Sequence, residues 1–188
     1  MTVIAATERL VLRNWLESDR DLFHEINSDP EVMEFFAHRR TRAESDEVFD
    51  RIRDAIATTG IGFYAVALRD LDEPIGFCGL WVPELEPFLP KDTVEIGWRL
   101  AKRHWGKGYV TEAAKAALTH GFINHDLPEI VSFAVTDNHR SIAVMQRIGM
   151  RHDSARDFDH PSVPDSHPHL KRHVLYAVSR ADRSIEPR

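Results

Sequence analysis

The sequence predicts an α+β (α/β) domain built on one mixed, mostly antiparallel sheet flanked by helices. Three observations carry this. Runs alternating at the period of a strand are interleaved with runs at helical spacing. The strand-like runs 62–68 and 75–81 flank the turn cluster Asp70 to Pro74 and read as a hairpin. The runs 93–100 and 130–136 are joined through a helix-like run, so they are expected as parallel neighbours with a right-handed crossover.

The elements follow in order. Glu8-Arg9-Leu10-Val11-Leu12-Arg13 reads as the first strand. Ser18 is expected to cap a helix reaching about Asn27, with Asp19 and Asp21 in its first turn. Asp29-Pro30-Glu31 is expected to start a short helix with proline at its first position. A helix over 41–59 would bury Val48, Ile52, Ala55 and Ile56, and Gly60 would end it. After the hairpin, Pro83, Pro87 and Pro90 mark a loop. The strand of 93–100, a helix of about 109–124 and the strand of 130–136 come next. Asn138 caps a helix over 140–148, stopped by Gly149, and 173–178 is the last strand.

A chain of 188 residues fits one domain, since domains run to roughly 100–200 residues. Its core is expected at about 7–178, with a charged tail over 180–188. The formal net charge of -6 argues against general nucleic-acid binding, which needs a basic footprint. Cys78 is the only cysteine, which fits a reducing, cytoplasmic compartment. The first residues lack the pattern of a signal peptide, and no run approaches the roughly 18 apolar residues of a membrane span.

The stretch Arg103-His104-Trp105-Gly106-Lys107-Gly108-Tyr109 stands between a strand and a helix. A glycine-bearing turn that opens a helix leaves backbone N–H groups unpaired, and with the helix dipole these make an anion site. Lys102, Arg103, His104 and Lys107 crowd a helix end that disfavours cations. An anionic ligand such as a phosphate would resolve that conflict. A P-loop is excluded, because Lys107 is followed by Gly108 and Tyr109 and not by Ser or Thr.

These residues resemble the GNAT N-acetyltransferases, and within them the ribosomal-protein N-terminal acetyltransferase-like branch. Arg103-His104-Trp105-Gly106-Lys107-Gly108 fits the family's Arg/Gln-x-x-Gly-x-Gly/Ala motif at every defined position. Glu95-Ile96-Gly97-Trp98, Asn138-His139-Arg140-Ser141 and Ile148-Gly149-Met150 follow its other signatures in order. The resemblance implies acetyl-coenzyme A as acyl donor, with its pyrophosphate on the glycine loop. It implies that the two parallel strands splay and admit the thioester, and that Trp98, Arg99 and Leu100 offer it main-chain groups. The Leu100 N–H would polarise the acetyl carbonyl. The acceptor would be a primary amine, either a protein N-terminus or a small molecule, attacking directly. A non-catalytic acyl-coenzyme A-binding module is the alternative. Either would act as a monomer or homodimer, without a membrane.

An α-amine near pKa 7.7–8.0 loses its proton far more readily than a lysine near 10.4, a difference of about 2.5 units or roughly 3.4 kcal/mol. A modest base then suffices, and Glu95, on the face opposite Val94 and Ile96, is the first candidate. Glu112 is the alternative, though the helix dipole alone explains an acid there. Many family members place a tyrosine seven residues after the Asn of the second signature. Here that position is Met145, and Ser141 is the nearest group able to hydrogen-bond the leaving sulfur. Asn138 is read both as a helix cap and as a cofactor contact. Asp159 and His160 are expected to reach the acceptor from a loop before the last strand, and Trp15, Phe35 and Phe36 either line the acceptor cleft or pack in the core. The His-rich segment 157–169 invites a metal reading, against which stand its prolines and the lack of a second cysteine.

Overall fold

A computed structural model describes residues 2–183; the tail positions 184–188 lie outside the described residues. The strands are β1 (Val3–Ala6), β2 (Leu10–Arg13), β3 (Phe63–Leu68), β4 (Glu73–Trp81), β5 (Glu95–Leu100), β6 (Glu129–Val135), β7 (Arg151–His152), β8 (Phe158–Asp159) and β9 (Arg172–Ser179). They form one sheet in the order β1-β2-β3-β4-β5-β6-β9-β7, with β8 also paired to β9. Every pairing is antiparallel except β5 with β6. The helices are α1 (Arg20–Ser28), α2 (Arg42–Thr59), α3 (Tyr109–Asn124) and α4 (His139–Arg147).

Register sorts the side chains onto two faces, because neighbours across strands share a face. Glu95, Gly97 and Arg99 of β5 lie opposite Trp81, Gly79 and Phe77 of β4. Phe63 joins them from β3, opposite Gly79. This face is covered by α1, whose Phe23 ring lies 6.4 Å from Phe77. The other face carries Leu80 and Ile96 and is covered by α3. A Cβ on Gly121 would sit 2.8 Å from Ile130 and 2.9 Å from Leu80, so only glycine allows the helix this close.

Local chemistry fixes the helix ends. The Thr41 hydroxyl accepts from the Glu44 N–H at 3.3 Å, and Glu44 accepts from the Thr41 N–H at 2.7 Å, a reciprocal capping box. Gly60 ends α2 at φ 78°. The buried stripe of α2 is Ser45, Phe49, Ile52 and Ile56, so Phe49 takes the place expected for Val48.

Four expectations are corrected. Ser18 does not cap α1; a 3-10 turn, Glu17–Asp19, precedes it, and the Asp19 carboxylate accepts from the Leu16 N–H and from Arg13. Residues 30–36 form turns and not a helix. The Asp29 carboxylate takes the N–H groups of Glu31 and Val32 at 2.8 and 3.0 Å, and an aspartate bonded to the backbone just ahead favours a turn. Trp15 lines no cleft: it is buried against Phe23 and Phe49, and its Nε1 donates to the Phe63 carbonyl at 2.7 Å. The chain also begins with an edge strand, β1, ahead of the first expected one.

Candidate active site

The site is built where β5 and β6 part. Glu95 is registered with Val131, and the Val131 N–H donates to the Val94 carbonyl at 3.0 Å; β5 and β6 share no further registered pair. Backbone groups of successive strand residues point to alternate sides. Since the Val94 carbonyl faces β6, the main-chain groups of Ile96, Trp98 and Leu100 also face β6, and those of Trp98 and Leu100 open into the gap. Arg99 turns its main chain toward Phe77 of β4, which corrects the expectation that it offers backbone to a ligand there. The Leu100 carbonyl accepts from Trp105 Nε1 at 2.9 Å, which fixes that ring under the loop and leaves the Leu100 N–H directed at the gap.

The glycine turn stands at the end of this gap. Lys102–His104 is a 3-10 turn, and Gly106 and Gly108 have φ 73° and 78°. Gly108 is the residue preceding α3, and the Glu112 N–H bonds back to its carbonyl at 3.1 Å. The N–H groups ahead of Glu112 have no preceding helical carbonyl and point out of the helix end. Gly106, Lys107 and Gly108 are exposed, and a Cβ on Gly106 would meet no protein atom within 4 Å. The space in front of the turn is open to a ligand.

The charge on this turn differs from the sequence expectation. Lys102 pairs with Glu31 and Arg103 with Glu25. His104 is buried, and burial followed by the neighbouring Arg103 hold its imidazole below the ordinary range, so it is neutral at pH 7. Lys107 remains as the cation without an ion-pair partner among the described residues. The paired acids tie the turn to α1 and to the 30–36 segment. Arg140 of α4 adds a third tie, pairing with Glu34 at 2.5 Å while stacking over Trp105 at 4.6 Å.

Arg9 lies in the bend just ahead of β2, and nothing in the sequence marks it as part of the site. Its Nη1 donates to the Lys107 carbonyl at 3.0 Å, and its guanidinium covers the Tyr109 ring at 4.8 Å. It also pairs with Glu112 at 2.6 Å. Burial would raise the Glu112 carboxyl, but hydrogen bonds from Thr7 and Arg9 outweigh it and the pKa is lowered. Glu112 is thus a strut between the β1–β2 turn and α3, poorly suited to take a proton.

Glu95 is the contrasting carboxylate. It keeps partial exposure but has no ion-pair partner among the described residues, and burial pushes its carboxyl up to about 8. Asn138 caps α4, its side chain accepting from the Ser141 N–H at 3.1 Å. Met145 is buried behind it. His160 packs against Phe133 at 6.1 Å and His173 at 5.0 Å, next to β6, with its imidazole held down at about 4 by burial and by His173. Asp159 points elsewhere: it is exposed and pairs with Arg172 at 3.5 Å. Phe35 is half-buried beneath Arg140 at 5.9 Å. Among the described residues no group of three His, Cys, Asp or Glu side chains is placed to hold a metal.

The acetyltransferase (GNAT) domain model matches residues 9–151, and the chain is a member of that family, an N-acetyltransferase. It is 30% identical over 147 residues to the uncharacterized N-acetyltransferase YnaD of Bacillus subtilis, covering 78% of this chain and 82% of that one. The crystal structure of an acetyltransferase from Agrobacterium tumefaciens superposes with a TM-score of 0.75 at 27% identity, covering 96% of this chain and 95% of that one. RimL, a ribosomal L7/L12 α-N-protein acetyltransferase solved in complex with coenzyme A, shares the fold with a TM-score of 0.73 at 18% identity, over 94% of this chain and 97% of that one.

Proposed function

We propose that this acetyltransferase draws its acetyl group from acetyl-coenzyme A and passes it to a primary amine by direct attack. The observation that carries the reading is the juxtaposition of the Gly106–Gly108 turn, the main-chain groups of Trp98 and Leu100 in the strand gap, and a carboxyl at Glu95 raised to about 8. The relative RimL, with the same fold, was solved with coenzyme A bound. Here the exposed N–H groups of the turn, with Lys107, would hold the pyrophosphate. The pantetheine arm would lie in the gap, bonded to the main chain of Trp98 in the manner of an added strand. Asn138 and Ser141 would flank the arm from α4.

In the reaction the amine nitrogen bonds to the acetyl carbon, the carbon–sulfur bond breaks, and the sulfur leaves as a thiolate. Glu95 in its ionised form takes the proton from the amine, directly or through a water. The Leu100 N–H donates to the carbonyl oxygen as negative charge grows on it. The Ser141 hydroxyl, without a hydrogen-bond partner among the described residues, donates to the departing sulfur. With Met145 buried and apolar, a solvent proton completes the thiol.

The test is free-thiol release from acetyl-coenzyme A across a panel of small amines and peptide N-termini. Amine-dependent thiol release, with acetylated amine as the product, is expected. Saturable acetyl-coenzyme A binding with no transfer to any amine would overturn the reading.

A further inference from the structure

The face of β4 and β5 that carries Glu95 also carries cations that no acid neutralises. Arg99, four residues along β5 from Glu95, lies over the Phe36 ring at 4.3 Å and the Phe77 ring at 5.4 Å. Its Nη1 donates to the Asn27 side chain at 2.5 Å, and its Nε is buried without a partner. Arg40 is held beside the same Asn27, its N–H donating to the Asn27 carbonyl at 2.9 Å, and its charge repels that of Arg99. Arg51 of α2 in turn acts on Arg40, and lies over the Trp81 ring at 5.9 Å. Trp81 stacks on Phe63 at 5.8 Å, and Phe63 packs on Phe77 at 5.0 Å. The result is an aromatic strip with the Arg51 guanidinium over one end and that of Arg99 over the other, and with Arg40 electrostatically coupled to both.

Burial lowers the pKa of Arg99 to about 9, and that of Arg40 is lowered as well. None of the three arginines forms an ion pair with a described residue, in a chain holding 30 acidic residues and a net charge of -6. The acid whose charge favours Arg40 is Glu44, which is committed to Thr41 and His38. Glu95 itself is largely protonated at pH 7. Gathering like charges on a half-covered face costs free energy unless an anion completes it.

We propose that Arg40, Arg51 and Arg99 form an anion-binding subsite of the acceptor cleft, and that the acceptor is a peptide N-terminus carrying an acidic side chain in its first few residues. This rests on the functional reading above and names the acceptor class for it. The spacing selects the class. Glu95 and Arg99 stand roughly 13 Å apart at about 3.3 Å per strand residue. An α-amino acid holds its amine and carboxylate too close together to reach both. An extended peptide advances at about the same rise per residue, so with its first residue at Glu95 its fifth residue stands level with Arg99 and its fourth within side-chain reach, with Arg51 nearer the amine end. Trp81, Phe63 and Phe77 supply the apolar floor between them.

The experiment compares kcat/KM for peptides identical except for Glu or Gln at each of positions two to five, with the wild-type enzyme and with Arg51→Gln and Arg99→Gln. Since Arg99 also holds Asn27, Arg51→Gln on the exposed side of α2 supplies an independent variant. Glu peptides are expected to be preferred about 10-fold or more at one of these positions, at low salt. The Glu-to-Gln ratio is expected to fall toward one in the variants and as ionic strength rises. Equal use of Glu and Gln peptides, a ratio untouched by either variant, or turnover confined to short amino acids would overturn the subsite. Those outcomes leave acetyl-coenzyme A binding and thiol release intact, so they are distinct from a failure of the acetyltransfer reading.

Discussion

Glu95 faces Val131 at the single registered pair between β5 and β6, and the two strands separate immediately beyond it. The residue with the raised carboxyl pKa thus sits at the apex of the wedge, beside the main-chain groups that open into the gap. The proposed chemistry depends on this placement, and each expectation below follows from it or from the parts that hold it.

The wild-type rate is expected to rise with pH through about 8 as Glu95 ionises, on top of the titration of the amine. Glu95→Gln should lower kcat by about 10²-fold or more and leave only the amine's own titration. Stability supplies an independent readout. The folded carboxyl holds its proton up to about 8, whereas in the unfolded chain it is lost near 4.5. The folded state therefore binds more protons between these values, and stability falls as pH rises through that window. In thermal melts Glu95→Gln should be more stable than wild type at pH 8 and above, the difference closing toward pH 4.5. Parallel melting curves across this window would show that Glu95 is not desolvated.

Asn138→Ala removes the acceptor for the Ser141 N–H and should cost about 1 kcal/mol of stability by denaturant titration. Ser141→Ala leaves that cap in place, because the bond uses the Ser141 backbone. It should lower kcat with little change in melting temperature. A melting loss equal to that of Asn138→Ala would make Ser141 a helix residue and nothing more.

Arg13 and Asp19 form an ion pair buried on both sides, at 2.6 Å. Asp19→Ala leaves a buried guanidinium facing only the half-exposed Asp72, and also strips an acceptor from the Leu16 N–H. A loss of about 3–5 kcal/mol is expected in equilibrium unfolding. A loss below about 1 kcal/mol would mean that Asp72 compensates alone.

The sheet was legible because β3, β4, β5, β6 and β9 carry periodic apolar runs. The β3–β4 hairpin, the β5–β6 parallel pair and the glycine turn stand where those runs and Gly106 and Gly108 place them. The two-residue strands β7 and β8 are too short for any period to register. The turns over 30–36 carry a helix-like sequence because Pro30 suits a helix start, while the deciding bonds come from the Asp29 carboxylate. Trp15 and Phe36 are both aromatics flanking the early helices, yet one is buried and the other half exposed, a difference set by tertiary packing. The arginine cluster was invisible for a similar reason. Arg40, Arg51 and Arg99 are far apart in the chain, and only the packing of α2 and its preceding turn on β4 and β5 gathers them.

The most direct measurement is calorimetric titration of acetyl-coenzyme A into the wild-type chain and into folded Gly106→Asp. In that variant a carboxylate is forced into the φ 73° turn and projects into the open space proposed for the pyrophosphate. Saturable binding by the wild type, weakened at least 10-fold by the substitution, is the expected result. No binding by the wild type, or equal affinity in a folded Gly106→Asp, would contradict the cradle on which the whole reading stands.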